Sequence, residues 1–425
     1  MRQGDLVADA ASPEVKQSPA SALLPLVIPG VVIGIASALI LLGVSLVSNV
    51  IEDAVWSTLP ATIGFSPDSP AWIVAVLTTA GLAVGLVVMF VPGHAGPDPA
   101  TTELAAPPLP VRVLPGLTIA LVITLASGVS LGPENPILAV NVGLAAALGL
   151  RLVPRIPVAA WSGLAISGTL GAMFGTPLGA ALLLSESPDT SGRPLWDRLF
   201  GPLIAASAGA LTMIALGGES FALTLDPYGS PAMLDVLTGS LIAVVAAIAG
   251  MAAVYAFPWI HAGFHRLGSP LVALVAGGFV LGLLGVVGGE ISLFKGLEQM
   301  KELTATAADY APAGLGLLVI VKLVALLVAS GSGFRGGRIF PSVFAAVAFG
   351  LFVHALFPAI PEAVALAASI IGVLVAVTRS GWLSIFMAEL MVGDPVILPV
   401  LAVAVLPAWL VVTGRPQLVV KPANA

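Results

Sequence analysis

The stretches SGVSLGPENP (127–136) and SGFRGGRIFP (332–341) share the pattern S-G-x-x-x-G-x-x-x-P at a separation of 205 residues. Each is glycine-rich, closes on a proline and runs into an apolar helical pattern, ILAVNVGLAAALG after Pro136 and SVFAAVAFGLFVH after Pro341. Proline suits the first helical turn, where an N–H would have no partner in any case. The first N–H groups of a helix are unpaired within it, and the helix dipole adds partial positive charge at that end. Such helix starts are ready anion sites. If the two stretches converge, they form an electropositive pocket that needs no full cation.

The surroundings put that pocket in a membrane. The chain has 425 residues, 58% hydrophobic and 9% charged, with a mean hydropathy of +1.08. Soluble domains carry roughly 25% charged residues. Apolar runs long enough to cross a ~30 Å hydrocarbon core recur along the whole length. Candidate membrane segments are 23–51, 70–91, 112–131, 134–150, 156–175, 195–217, 232–257, 270–289, 312–331, 339–357, 361–378 and 395–413. Several are broken by Gly and Pro, so tilted, broken and re-entrant helices are expected in an all-α polytopic membrane protein. Non-helical backbone at that depth is tolerated only inside protein or along a wet cavity.

Residues 1–22 lack the basic-then-apolar pattern of a cleaved leader and read as a cytoplasmic tail. The loop 52–69 holds Glu52, Asp53 and Asp68 without Lys or Arg, whereas Arg2, Lys16 and Arg112 flank it. By the positive-inside rule the N-terminus is cytoplasmic, and Arg415 and Lys421 place the C-terminus there too. The net charge of −6 and pI near 5.2 argue against nucleic acid as a partner. With no cysteine, disulfides and thiolate chemistry are excluded. His94, His261, His265 and His354 are dispersed, so neither metal nor cofactor is expected.

Further pairs support a duplicated unit. SPAWIVAVLTTAGLAVGLVV (69–88) resembles SPLVALVAGGFVLGLLGVVG (269–288) at an offset of 200, and the apolar segments ending at Glu186 and Glu389 pair at 203. The expected organisation is a first membrane repeat over 23–217, a linker over 218–231, a second repeat over 232–413 and a short tail over 414–425. Repeats of this kind mark many transporters, with the site between them at short, Gly/Pro-interrupted segments. A third such loop, VPGHAGPDP (91–99), has its counterpart near GGEISLFKG (288–296).

Glu134 stands at one of these helix starts. An acid there can stabilise its helix, worth ~0.3–1 kcal/mol at an exposed site. At membrane depth, where ionisable groups are functional by default, it reads instead as a gate that competes with the anion for the same N–H groups. Arg335 and Arg338 either attract anions and pair with Glu134 or Glu186, or sit at the rim and snorkel to headgroups. For Glu186 and Glu389 the plain reading is a membrane-boundary position, with an internal polar network as the alternative for Glu186.

At these loops the sequence resembles the CLC family of chloride channels and proton/chloride antiporters, closest to a divergent bacterial branch of ion-transport proteins. Gly132-Pro133-Glu134-Asn135-Pro136 is similar to the family's Gly-(Lys/Arg)-Glu-Gly-Pro, whose Glu is the external gate, which assigns that role to Glu134. GAMFGTPLGAALLLSE (171–186) resembles the stretch in which Phe-x-x-Pro-Leu-x-Gly leads to a Glu, and Gly336–Pro341 resembles Gly-Gly-x-Phe-x-Pro. GHAGPDP (93–99) is similar to Gly-Ser-Gly-Ile-Pro. The resemblance implies two inverted-topology repeats, a homodimer in the cell membrane, and a pathway lined by His94, Ala95, Gly96, Gly132, Pro133, Asn135, Gly337, Arg338, Ile339 and Phe340. Glu186 and Arg335 are the candidates for an internal polar network.

The chain departs from the family at four places. His94 or Ala95 stands where the central Ser belongs, Ile339 where the Phe does, Leu418 is the nearest match to the C-terminal Tyr, and Ser187 holds the inner proton-transfer Glu position. The expected function is transport of a small inorganic anion, chloride-like, with weak or no proton coupling. A proton-coupled antiporter of the same fold, with protons as second partner, stays open. Outside this class stand an intramembrane enzyme, for which no nucleophile with its base is evident, and a cation carrier, which would want a more acidic interior. The nucleotide-binding pair of larger family members is not expected after 413.

Overall fold

A chain in hydrocarbon must satisfy its backbone hydrogen bonds internally, so its apolar runs become helices. The computed structural model describes residues 19–103, 106–187, 192–218 and 220–420. Most of the expected N-terminal tail, and the last five residues of the C-terminal one, therefore fall outside the described residues. Two sets of helices follow one another. The first comprises α1 (Val27–Asp53), α2 (Pro70–Phe90), α3 (Leu114–Ala126), α4 (Glu134–Leu152), α5 (Val158–Phe174), α6 (Leu178–Ser185) and α7 (Leu195–Ala215). The second comprises α8 (Met233–His265), α9 (Pro270–Gly288), α10 (Leu297–Ala305), α11 (Pro312–Ser332), α12 (Ile339–Leu356), α13 (Glu362–Thr378), α14 (Gly381–Val392) and α15 (Leu398–Val412). Among the described residues nine helical stretches are long and apolar enough to cross a bilayer.

The sets pack by the same rules. In the first, α1 packs on α5 and α7, α5 on α4, α6 and α7, and α3 on α2 and α4; in the second, α8 packs on α13 and α15, α13 on α12, α14 and α15, and α11 on α9 and α12. The sets meet where α2 crosses α9, the most extensive helix pair. There Gly81 faces the Leu274 carbonyl and Gly278 faces the Leu77 carbonyl, so closely that a Cβ on either glycine would overlap the opposing backbone. This reciprocal contact relates the helices at an offset of 197 rather than the expected 200. The difference is about one helical turn, which a period of 3.6 residues leaves on the same face.

Several expected boundaries move. The segment 23–51 does not end before Glu52: the helix continues through a wide turn, Ala54–Thr58, and Leu59–Ile63, leaving only 64–69 as a loop. Glu52 and Asp53 are tolerated because that end faces a polar cavity. The segment 112–131 stops at Ala126, and 232–257 runs on to His265. The expected linker, 218–231, packs in part against the helices. Phe221 and Leu223 are buried, and the Leu223 N–H donates to the Met391 carbonyl at 2.8 Å. The tail also folds back: Leu418 N–H donates to Val377 and Val420 N–H to Ala100.

Candidate functional site

The two glycine-rich stretches meet. Gly132 N–H donates to Gly337 O at 2.9 Å and Gly337 N–H to Gly132 O at 2.6 Å, the one isolated antiparallel bridge among the described residues. Helices α4 and α12 start beside it, with Pro133 and Arg338 as their N-terminal flanks. The Glu134 carboxylate lies on this bridge, with 0% of the residue exposed. Its Oε1 accepts from the Phe340 N–H at 2.8 Å, across a separation of 206 residues, while Oε2 accepts no hydrogen bond. A Cβ on either Gly132 or Gly337 would overlap Oε2, so both positions need glycine to admit the carboxylate.

Two cavities reach the residues on either side of Glu134 in sequence, Pro133 and Asn135. One, of about 520 Å³, reaches Pro133 and is lined by Glu52, Asp53, Trp56, Asp68, Glu290, Lys295 and Glu298 among others. The other, of about 160 Å³, is lined by Glu103, Asn135, Arg338, Ile339, Thr378, Ser380 and Gln417. Arg338 sits in the wall of this cavity, its guanidinium donating to Thr102 O. At the larger cavity, burial lifts the Glu290 carboxyl above the ordinary range, and hydrogen bonding and like charge from Asp68 lift it further.

The loop 91–98 is built differently from the expectation. Its carbonyls, not its amides, converge, and they converge on a cation. Arg335 Nε donates to Ala95 O at 2.8 Å, Nη2 to His94 O and Gly96 O at 3.2 Å each, and Nη1 to Gly333 O at 3.0 Å. Turning these oxygens one way puts His94 and Ala95 at φ +53° and +52°, left-handed conformations that non-glycine residues rarely take. The amides of His94 and Gly96 are used within the loop, on Val91 O and Gly93 O. His94, Ala95 and Gly96 therefore seat Arg335, and a ring of carbonyls is no anion contact. The predicted network of Glu186 with Arg335 is also not formed. Glu186 Oε1 accepts from the Trp382 N–H at 2.7 Å, where it caps the start of α14.

Lys322 was not singled out by the sequence reading. It is fully buried within α11, donates to the carbonyls of Ser292, Leu293 and Phe294 at 2.8, 3.0 and 2.9 Å, and lies 4.6 Å over the Phe344 ring. The signal was present: one cation in an apolar run at membrane depth. The loop it clamps is the counterpart of 91–98, and Phe294 there also has a positive φ, +58°. Phe340, which holds Glu134 by its amide, turns its ring to Phe221 at 5.7 Å, and Phe221 packs on Phe174.

A family model described as voltage gated chloride channel matches residues 80–413. The curated relatives include YfeO of Escherichia coli O9:H4 strain HS and of Shigella boydii serotype 18, provisionally named an ion-transport protein. Each is 49% identical over 402 residues, 94% of this chain and 96% of the relative. Among solved structures, a slow cyanobacterial Cl−/H+ antiporter superposes with a TM-score of 0.77 at 16% identity, covering 95% of this chain and 97% of that one. A CLC-type fluoride/proton antiporter gives 0.70 at 18%, covering 93% and 96%, and a eukaryotic CLC transporter gives 0.69 at 17%, covering 94% and 74%.

Proposed function

This chain belongs to the voltage gated chloride channel family, and on that basis we propose that each subunit carries a chloride-like anion along a pathway that Glu134 closes. The family transports ions and is not a family of enzymes. The observation that carries the gate reading is the bond from the Phe340 N–H to Glu134 Oε1, made by a buried carboxylate whose sequence neighbours Pro133 and Asn135 each line a cavity. An ionised Glu134 takes the amide an anion would use; swung aside or protonated, it releases that amide. Gly132, Pro133, Asn135, Gly337, Arg338, Ile339 and Phe340 form the proposed lining, and His94, Ala95 and Gly96 support it through Arg335.

Coupling to protons is weak or absent in this reading. Ser187 holds the place of the inner proton acid, and its neighbour Glu186 is engaged as a helix cap. Proton-coupled antiport is the second reading. It is favoured by a fully buried Glu134 with an oxygen free of protein partners, and by the antiporters that share the fold. We place the protein in the cell membrane as a homodimer with both termini cytoplasmic, its pathway between the repeats 23–217 and 232–413. Liposomes loaded with chloride, nitrate or fluoride test the proposal. The wild type should release at least one of these with a rate that depends on pH. E134Q and E134A should lose that dependence and any uphill proton movement; pH-dependent flux unchanged in both would remove Glu134 as the gate.

A further inference from the structure

Away from Glu134, one cluster gathers metal-ligand chemistry. His261 and His265 lie one turn apart on α8, so both project from one face, and Asp98 reaches them from the loop after α2. Their ligand atoms all lie within 4.8 Å of one another. Asp98 Oδ2 is 2.8 Å from His261 Nε2 and 3.3 Å from His265 Nε2, and the two rings stack with centroids 3.9 Å apart. The histidines had seemed dispersed because the third ligand is 163 residues from the first of them.

The outer hydrogen bonds decide what belongs between these atoms. His265 Nδ1 lies 3.2 Å from the His261 carbonyl oxygen, which only accepts, so the proton of a neutral ring is on Nδ1. Nε2 then turns a lone pair onto a carboxylate oxygen. Two acceptors facing each other call for a cation, either a second ring proton or a metal ion. The other Asp98 oxygen, Oδ1, accepts from Ala100 N–H at 2.9 Å. Bonds of this kind, to the atoms of imidazole and carboxylate that do not ligate, hold metal ligands in place. Two imidazoles and a carboxylate suit zinc-like ions, whose tetrahedral bonds of about 2.0–2.2 Å put neighbouring ligand atoms roughly 3.3–3.5 Å apart. The His265–Asp98 spacing of 3.3 Å fits this, and the His261 spacing needs to open only slightly. A cavity of about 380 Å³, lined in part by Asp98, His265 and Arg335, leaves room for a water in a fourth position.

We propose that Asp98, His261 and His265 bind one transition-metal ion of the zinc class, joining the loop 91–98 to the end of α8. That loop seats Arg335, so the ion braces the anchor of the second glycine-rich stretch. Binding is read without any transport assay, and its outcome is independent of the role given to Glu134. Full-length protein in detergent is stripped with a chelator, equilibrated with zinc chloride and freed of excess by gel filtration. Elemental analysis should find one zinc per chain, and the melting temperature should rise with zinc concentration. Asp98→Asn and His265→Ala should each weaken zinc binding at least about tenfold, while His354→Ala, on a separate helix, should bind as the wild type does. The His265 side chain is 57% exposed, so its loss spares the packing, and an unshifted elution volume verifies this. Zinc that washes off the wild type, or that all variants retain equally, overturns the proposal and leaves a histidine–aspartate ion pair only.

Discussion

Arg335 draws four carbonyl oxygens together from two loops, and that arrangement depends on the planar fork of its guanidinium. Lysine has three donors where arginine has five and lacks the planar fork, so R335K should leave at least one of these four carbonyls without a partner. Charge-assisted hydrogen bonds contribute about 1.5–3 kcal/mol each and are not additive. The expected loss is about 2–4 kcal/mol of stability, read as a lower thermal midpoint in detergent, and an unchanged midpoint would show that the loop stands without its cation. Gly337 makes the complementary case. A methyl group there occupies the place of Glu134 Oε2, so G337A should expel the carboxylate and reproduce the pH-insensitive flux of E134A. Wild-type pH dependence in G337A would mean that the carboxylate has another resting place.

At the scale of elements, the crossing of α2 and α9 rests on two glycines that face leucine carbonyls. Overpacking a close contact costs about 1–3 kcal/mol, so G81A and G278A should each lower the thermal midpoint. The double variant should lose less than the sum of the two, because the first already pushes the helices apart. Equal, fully additive losses would argue against a shared crossing. The pairing of 127–136 with 332–341 was legible in the sequence because a carboxylate resting on a backbone bridge excludes every side chain at Gly132 and Gly337, which leaves a mark in residue type. The seat of Arg335 left no such mark, since its partners are backbone oxygens and any residue supplies one. Nor could the pattern foresee that the helical run goes on from α1 through Ile63, because Glu52 and Asp53 read as a loop until the cavity they line is known. His261 and His265 stood at helical spacing all along, and only the fold brings Asp98 to them.

Across the whole molecule, each set of helices braces the other's glycine-rich stretch. The carbonyls of 94–96 hold Arg335 of the second set, and the Phe294 N–H of the second set donates at 2.9 Å to Gly128 O of the first. Stability is therefore a property of both sets together, and it carries a pH signature at the large cavity. Glu290 there has a carboxyl raised first by burial and then by Asp68. The folded chain binds that proton more tightly than the unfolded chain, so the stabilisation is complete below the ordinary carboxylate range and is lost as pH climbs through the raised value. E290Q should flatten the melting temperature against pH across that window and raise it at neutral pH. A wild-type slope in E290Q would assign the effect to another acid.

The bridge between Gly132 and Gly337 also sets a clock on biosynthesis. At translation speeds of about 5–20 residues per second, the ribosome needs roughly 10–40 seconds after making the first of these amides before it makes the second. For that interval the first stretch has a carboxylate and peptide groups without the partners that the second stretch supplies. A chain halted between the two would lack those partners permanently, so the first stretch cannot take its finished form until the second has been made.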